Sequence, residues 1–557
     1  MELSKTFKSY ILCPPYLPKH SGRHNHQICL VSMNGCQGYN TTTPVETIET
    51  RRLPPVLTHA LAIDSLTSAI FDIKCNPPPF ASGVIRLEVP VEQKIDAIEW
   101  LNSQHNHLLP RCFFGRNQSF DPQTVSNTDH NNVNGNGNCN INSQSSRVKL
   151  VSVAGVGAAV FFRHVHPFSL NDWRAIRRFL SKKCPLLHAY GAIRFDSSPY
   201  IVSEWEPFGS FYFMIPQVEL DELDRSSIIA ATVAWDDALF WTYRKAIAAL
   251  EATMSQISTI ILGSQDLFPY TLKGRITHVP NRKSWDTAVS QALQMINKED
   301  STLTKVVLAR RSQIHTTTYI NPLIWLARFK VDGGNAYQFF LQPPESPAFI
   351  GNTPENLFHR SELKIRSEAL AGTRARGRTE SLDLQIGYDL LSSYKDHNEF
   401  AIVRDCIRRK LEDICSCVSV KPTKALRKLP RVQHLYACLT GTLQSEDDEF
   451  RILTSLHPTP AVCGFPMEEA MVLIKKTENF DRGMYAGPIG WFGGGESEFA
   501  VGIRSALVDK SHGAFIYAGT GIVEGSDSYL EWEELELKIS QFMKLMKEDE
   551  VCQESTI

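Results

Sequence analysis

The sequence predicts an α+β fold in which two large antiparallel sheets pack together with helices outside. Three observations carry this. Strand-like segments come in runs, not in strict βα alternation. Amphipathic helical patterns fall between those runs. Both halves of the 557-residue chain share this mixture, without a sequence repeat. With 43% hydrophobic and 21% charged residues, the chain can bury a sizeable core.

Taken in order, residues 1–45 hold one acid, Glu2, against Lys5, Lys8, Lys19 and Arg23, and lack the apolar centre of a secretory signal. They read as an organelle transit segment, disordered and outside the fold. Residues 46–283 read as the N-terminal part of the fold. In "GVIRLEVPV" (83–91), Ile85, Leu87, Val89 and Val91 alternate with Val84, Arg86 and Glu88 at strand period. The Asn/Gly-rich tract 124–147 cannot bury a core and is expected to be a loop. Strands are expected in "VKLVSVAGVGAAVFF", "HAYGAIRF", "FYFMI" and "SIIAATVAW". A helix follows, striped by Tyr243, Ile247, Leu250, Met254, Ile257 and Ile261.

The second half, 284–547, opens with a helix behind Ser284 carrying Trp285, Val289, Ala292 and Ile296. Strands are expected in "KVVLAR", "AYQFFLQ", "LKIRSEALAGT", "EFAVGIRSALV" and "AFIYAGTGIV", with helices near 396–414, 467–476 and 529–547. Residues 548–557 read as a tail.

Composition excludes several classes of function. The net charge of −2, from 58 basic and 60 acidic residues, leaves no electrostatic footprint for nucleic acid or an anionic membrane surface. No stretch approaches eighteen uninterrupted apolar residues, so no membrane span is expected. Thirteen cysteines are dispersed, the closest pair being Cys415 and Cys417, which suits reduced thiols. The pairs His24/His26, His105/His107 and His164/His166 lack partners at zinc-site spacing. HExxH, GxSxG, P-loop and GxGxxG patterns are absent.

Four features of the second half are out of place for packing alone. Lys305 stands at the mouth of the apolar run Val306–Ala309, either as a solvated flank or as a base at a pocket edge. Arg504 lies within "FAVGIRSALV", where a guanidinium must face solvent or meet an anion. Two Gly-Thr turns, in "ALAGTRARG" and "YAGTGIV", let backbone N–H groups approach an anion. Two helix starts are acidic. Ser528 and Glu531 form a capping box, leaving Glu534 free one turn later with Lys538 on its face. Ser393 and Asp396 cap the other, with Glu399 a turn further in. Two glutamates facing one cavity suit a hard dication such as Mg²⁺; each alone could merely complement a helix dipole.

In order along the chain, "KVVLAR", "FIGNTPENLF", "EALAGTRARG", "KDHNEF", "RVQHLY", "LHPTPAVCGFP", "FDRGMYAGPIGWF", "VGIRSALV" and "YAGTGIVEGSDSYLEWEELELKI" resemble the chorismate-binding enzyme family. Within it the chain is most similar to the water-using branch that forms isochorismate in plant plastids. The resemblance is close over about 284–547. It implies an anthranilate synthase-like fold with the site between its two sheets. It implies a Mg²⁺-dependent isomerase, formally transferring a hydroxyl, that feeds salicylate and phylloquinone synthesis. Chorismate is then the partner, with no amidotransferase subunit, and the chain a monomer in the chloroplast stroma.

Carried over by motif, Lys305 falls on the family's general base and Glu355 of "TPEN" on its general acid. Glu399 and Glu534 fall on the Mg²⁺ ligands. Gly372, Thr373, Ala461, Arg504, Gly519 and Lys538 fall on substrate contacts. The chemistry is consistent with this set. Water attacks ring carbon 2 while the carbon 4 hydroxyl leaves, so Lys305 must be neutral and Glu355 protonated. Thr353-Pro354-Glu355 also reads as a helix start, which would favour the ionised carboxylate. Aminating relatives are expected to lack a base at Lys305, and the aminodeoxychorismate-forming relative carries a lysine where this chain has Ala371. A salicylate synthase, with the same site plus pyruvate elimination, and an inactive chorismate-binding regulator are the alternatives.

Overall fold

The computed structural model describes residues 32–36, 43–116, 150–261, 272–316, 319–331, 337–509, 513–544 and 546–548. Most of the expected leader with His24 and His26, the tract 124–147 and the tail beyond Glu548 lie outside the described residues.

The two antiparallel sheets are arms of one continuous ladder. The strand Phe211–Leu223 pairs along one edge with Leu150–His164. Its other edge is shared by Ala189–Ile193 and Ser227–Asp236. The first arm continues from Leu150–His164 through Arg111–Arg116, Tyr337–Gln342, Ala348–Thr353, Ser505–Asp509 and Gly513–Val523 to Lys305–Thr316. The second runs from Ala189–Ile193 through Pro488–Phe492, Glu496–Val501, Asn356–Ser361 and Lys364–Ala375 to Val432–Leu443. Both arms mix strands from the two halves of the chain, so neither half closes its sheet alone. Among the described residues, parallel pairing is confined to three strand pairs and the isolated bridge Val56–Val91.

The arms meet face to face. Tyr337 of the first donates its hydroxyl to Glu498 of the second at 3.1 Å and accepts from Asn356 Nδ2 at 2.8 Å. Two-sided cover changes how strands read. Ser82–Val91 is buried on both faces except at Pro90, although its sequence alternates. Its Arg86 survives burial by meeting Glu88 at 2.9 Å, Glu219 at 3.0 Å and Asp221 at 2.6 Å.

Helix Tyr394–Glu412 packs Phe400, Val403, Ile407 and Leu411 against the second arm. Helix Ser528–Met543 packs Leu535, Ile539 and Phe542 against the first. Their first turns are tied by Lys395 Nζ to Glu531 at 2.7 Å. No helix among the described residues is long and apolar enough to cross a membrane.

Several expectations need correction. The leader boundary at residue 45 is too late: Met33–Asn34 pairs with Val160 and Phe161, and Met33 is 1% exposed. The helix from Tyr243 stops at Met254, and the one expected behind Ser284 spans Arg282–Ile296 with Asn281 as its cap. "EFAVGIRSALV" is two strands, Glu496–Val501 and Ser505–Asp509, broken at Gly502–Arg504. The Gly-Thr pairs sit within strands, not in turns after them. Thr353-Pro354-Glu355 starts no helix. Pro354 and Glu355 link two strands, so Glu355 does not begin a helix whose dipole would favour its ionised form.

Candidate active site

A cavity of about 80 Å³ opens between the second arm, the strands Lys305–Thr316 and Gly513–Val523, and the two acidic helix starts. All ten residues singled out from the sequence line it: Lys305, Glu355, Gly372, Thr373, Glu399, Ala461, Arg504, Gly519, Glu534 and Lys538.

Lys305 is the first residue of its strand and only 1% exposed. Its Nζ lies 2.9 Å from Glu399 Oε1, so it is not a solvated flank. Gly521 makes this pair possible. A Cβ there would stand 2.4 Å from Glu399 Oε1 and 2.8 Å from Lys305 Cε. The second glycine of "YAGTGIV" was the available sequence signal for it.

Glu355 is 4% exposed, and its Oε1 has no hydrogen-bond partner among the described residues. Its link is held by Glu355 N donating to Thr353 Oγ1 at 3.3 Å and by Val501 N donating to Glu355 O at 3.0 Å. Burial pushes its carboxyl up to about 8, assisted by Glu368 and opposed by Lys305, Lys538 and Arg427. Glu355 is thus a protonated acid near neutral pH.

Arg504 sits in the break between two strands at φ 51°, the left-handed region that a long side chain seldom occupies. The break is held by Asn352 N donating to Arg504 O at 3.1 Å. Its guanidinium has no hydrogen-bond partner among the described residues, and burial lowers it to about 10. An unpaired cation facing a cavity suits an anionic ligand. Lys538 Nζ donates to Gly519 O at 2.7 Å and pairs with Glu534 Oε1 at 2.6 Å. Gly372, at φ 66°, marks a bulge where Lys364–Ala375 slips register between Ala371 and Thr373.

The expected capping box is overturned. Asp527 caps the helix, accepting from Tyr529 N and Leu530 N. Glu531 instead accepts from Thr520 Oγ1 at 2.6 Å and from Lys395. Burial raises its carboxyl, with Glu534 adding to the effect. Sequence reasoning also assigned no role to His434, which lines the cavity. Its Nδ1 lies 3.2 Å from Gly372 O, and burial lowers the ring to about 3, so it is neutral. A histidine within the strand-like "RVQHLY" was its only signal.

Glu399 and Glu534 approach the cavity from different helices, each a turn inside its start. Both are carboxylates, both are partly buried, and their present partners are lysines that a dication could displace. This oxygen donor set with an open side fits Mg²⁺.

A family model described as chorismate binding enzyme matches residues 152–547. The chloroplastic isochorismate synthase of Catharanthus roseus is 57% identical over 548 residues, covering 97% of this chain and 92% of its own. The chloroplastic isochorismate synthase 2 of Arabidopsis thaliana is 56% identical, over 94% of this chain and 91% of its own. Among solved structures, MenF, the menaquinone-specific isochorismate synthase from Escherichia coli, matches with a TM-score of 0.68 at 25% identity. That match covers 86% of this chain and 100% of MenF. The chain belongs to the chorismate-binding enzyme family. The two plant relatives are similar along nearly their whole length.

Proposed function

We propose that the protein is an isochorismate synthase, an isomerase that converts chorismate to isochorismate in the plastid. The observation that carries the mechanism is Glu355, a buried carboxyl still protonated at neutral pH in the cavity that Lys305 also lines. An acid and a base in one cavity suit attack of a water oxygen on one ring carbon while a hydroxyl, protonated to water, leaves another.

Chorismate is a dicarboxylate, and the cavity offers poles for both acids. Arg504 and the backbone around Gly372 and Gly519 suit one carboxylate. Glu399 and Glu534 would hold Mg²⁺ for the other, where the ion supplies Lewis-acid polarisation of the conjugated ring. Lys305 takes a proton from water as its oxygen bonds to carbon 2, for which it must first leave Glu399. Glu355 gives its proton to the hydroxyl leaving carbon 4, and the ring double bonds shift between the two carbons. Thr373, Ala461 and Lys538 complete the substrate contacts. The chain needs no amidotransferase subunit, acts as a monomer, and supplies salicylate and phylloquinone synthesis. The acid-poor leader serves as its transit segment.

Product analysis tests this reading. Pure protein with chorismate and Mg²⁺ should yield isochorismate. Salicylate with equimolar pyruvate would make it a salicylate synthase, and no turnover would leave a binding protein.

A further inference from the structure

We propose that Glu368 and Arg427, outside the cavity wall, act as a positioning pair that sets the protonation of Glu355. This rests on the reading of Glu355 as the acid of isochorismate formation. Glu368 lies two residues before Leu370, on the strand face that reaches the cavity, and is 5% exposed. Arg427 grips both of its oxygens, at 2.6 and 2.9 Å. Arg366 adds a bond at 2.9 Å, and the Arg427 guanidinium stacks on Tyr436 at 4.0 Å. The same Arg427 Nη1 donates at 3.3 Å to Pro354 O, the carbonyl immediately before Glu355. One guanidinium thus joins a fixed carboxylate to the two-residue link that carries the acid.

Both charges reach Glu355. Arg427, Arg366 and Arg116 keep Glu368 ionised, its carboxyl lying below the ordinary value despite burial. A fixed buried anion discourages a second anion nearby, so Glu368 favours the protonated Glu355. Arg427 opposes it. The other charged groups acting on Glu355 are Lys305 and Lys538, both of which favour ionisation. Arg504 and neutral His434 line the same cavity, and Tyr485 closes another side of it. Glu399 and Glu534 line the cavity too, as the carboxylates assigned to Mg²⁺; outside its wall, Glu368 is the anion that raises Glu355.

The two members of the pair therefore shift Glu355 in opposite senses, which a merely structural ion pair would not do. The test uses the full chain with Glu368→Gln, Arg427→Met and the double variant. The infrared band of a protonated carboxyl, assigned by its loss in Glu355→Gln, is titrated alongside isochorismate formation against pH. Glu368→Gln should lower the pH at which the band disappears, and with it the alkaline limb of turnover, by about one pH unit or more. Arg427→Met should raise both, and the double variant should lie between them. If Glu368→Gln does not fold because Arg427 loses its carboxylate partner, the step from Arg427→Met to the double variant carries the same expected decrease. Shifts in one direction for both variants, or lost turnover with an unmoved band, would overturn the proposal. Wild-type protein that forms no isochorismate would instead refute the functional reading, leaving the band titration to judge the pair.

Discussion

Glu355 couples activity to stability through one proton. Unfolded, its carboxyl ionises near 4.5; folded, it stays protonated up to about 8. The folded chain therefore holds one more proton between those values. Its contribution to stability is complete below 4.5 and is lost as pH rises through 8, roughly 5 kcal/mol in all. Urea unfolding from pH 5 to 9 should show this decline, and Glu355→Gln should flatten it while abolishing turnover. At Gly521 the constraint is space. Gly521→Ala should cost at least a hundredfold in turnover, because its Cβ would collide with Glu399 and Lys305. A melting temperature near wild type would locate that loss in the site. Lys305, Glu399 and Glu534 were legible because charged residues at strand mouths and helix starts break the local pattern. Gly521 and His434 were not, since their roles depend on what lies across the sheet. The protonation of Glu355 was expected from the chemistry, yet its physical cause is burial, which one-dimensional pattern does not show.

At the scale of elements, the two acidic helices were found from their caps and apolar stripes. Register was the harder part. Ser528 and Glu531 have capping-box spacing, but Asp527 takes the cap because its carboxylate reaches two free N–H groups. Asp527→Ala should therefore cost about 1 kcal/mol, read by thermal unfolding, with little effect on turnover. Glu531→Gln should act differently. It breaks the tie between the helix starts at Lys395 and removes a carboxylate beside Glu534, so its loss should appear as a higher Mg²⁺ requirement. Equal effects of the two variants on Mg²⁺ dependence would contradict this division. The break at Gly502–Arg504 was hidden for a similar reason. "FAVGIRSALV" has continuous strand propensity, and only pairing of its two ends with different strands, Asn356–Ser361 and Ala348–Thr353, shows the interruption.

At the scale of the molecule, the antiparallel sheets and outer helices were legible in runs of strand pattern. The branching of one ladder at Phe211–Leu223 was not, because long-range pairing leaves no local signal. The same limit misplaced the leader boundary. Met33 and Val45 are buried in the core, each worth about 1.5–3 kcal/mol of apolar burial. A chain beginning at residue 32 should melt with the full chain, whereas one beginning at Glu46 should melt several degrees lower. The central claim is that one cavity adds a water oxygen at carbon 2 while the carbon 4 hydroxyl departs. Turnover of chorismate with Mg²⁺ in ¹⁸O-water, followed by mass spectrometry of the isochorismate, tests it most directly. The expected product carries one ¹⁸O, at carbon 2. Unlabelled isochorismate would mean that the hydroxyl migrates within the substrate, and the roles given to Lys305 and Glu355 would fall with it.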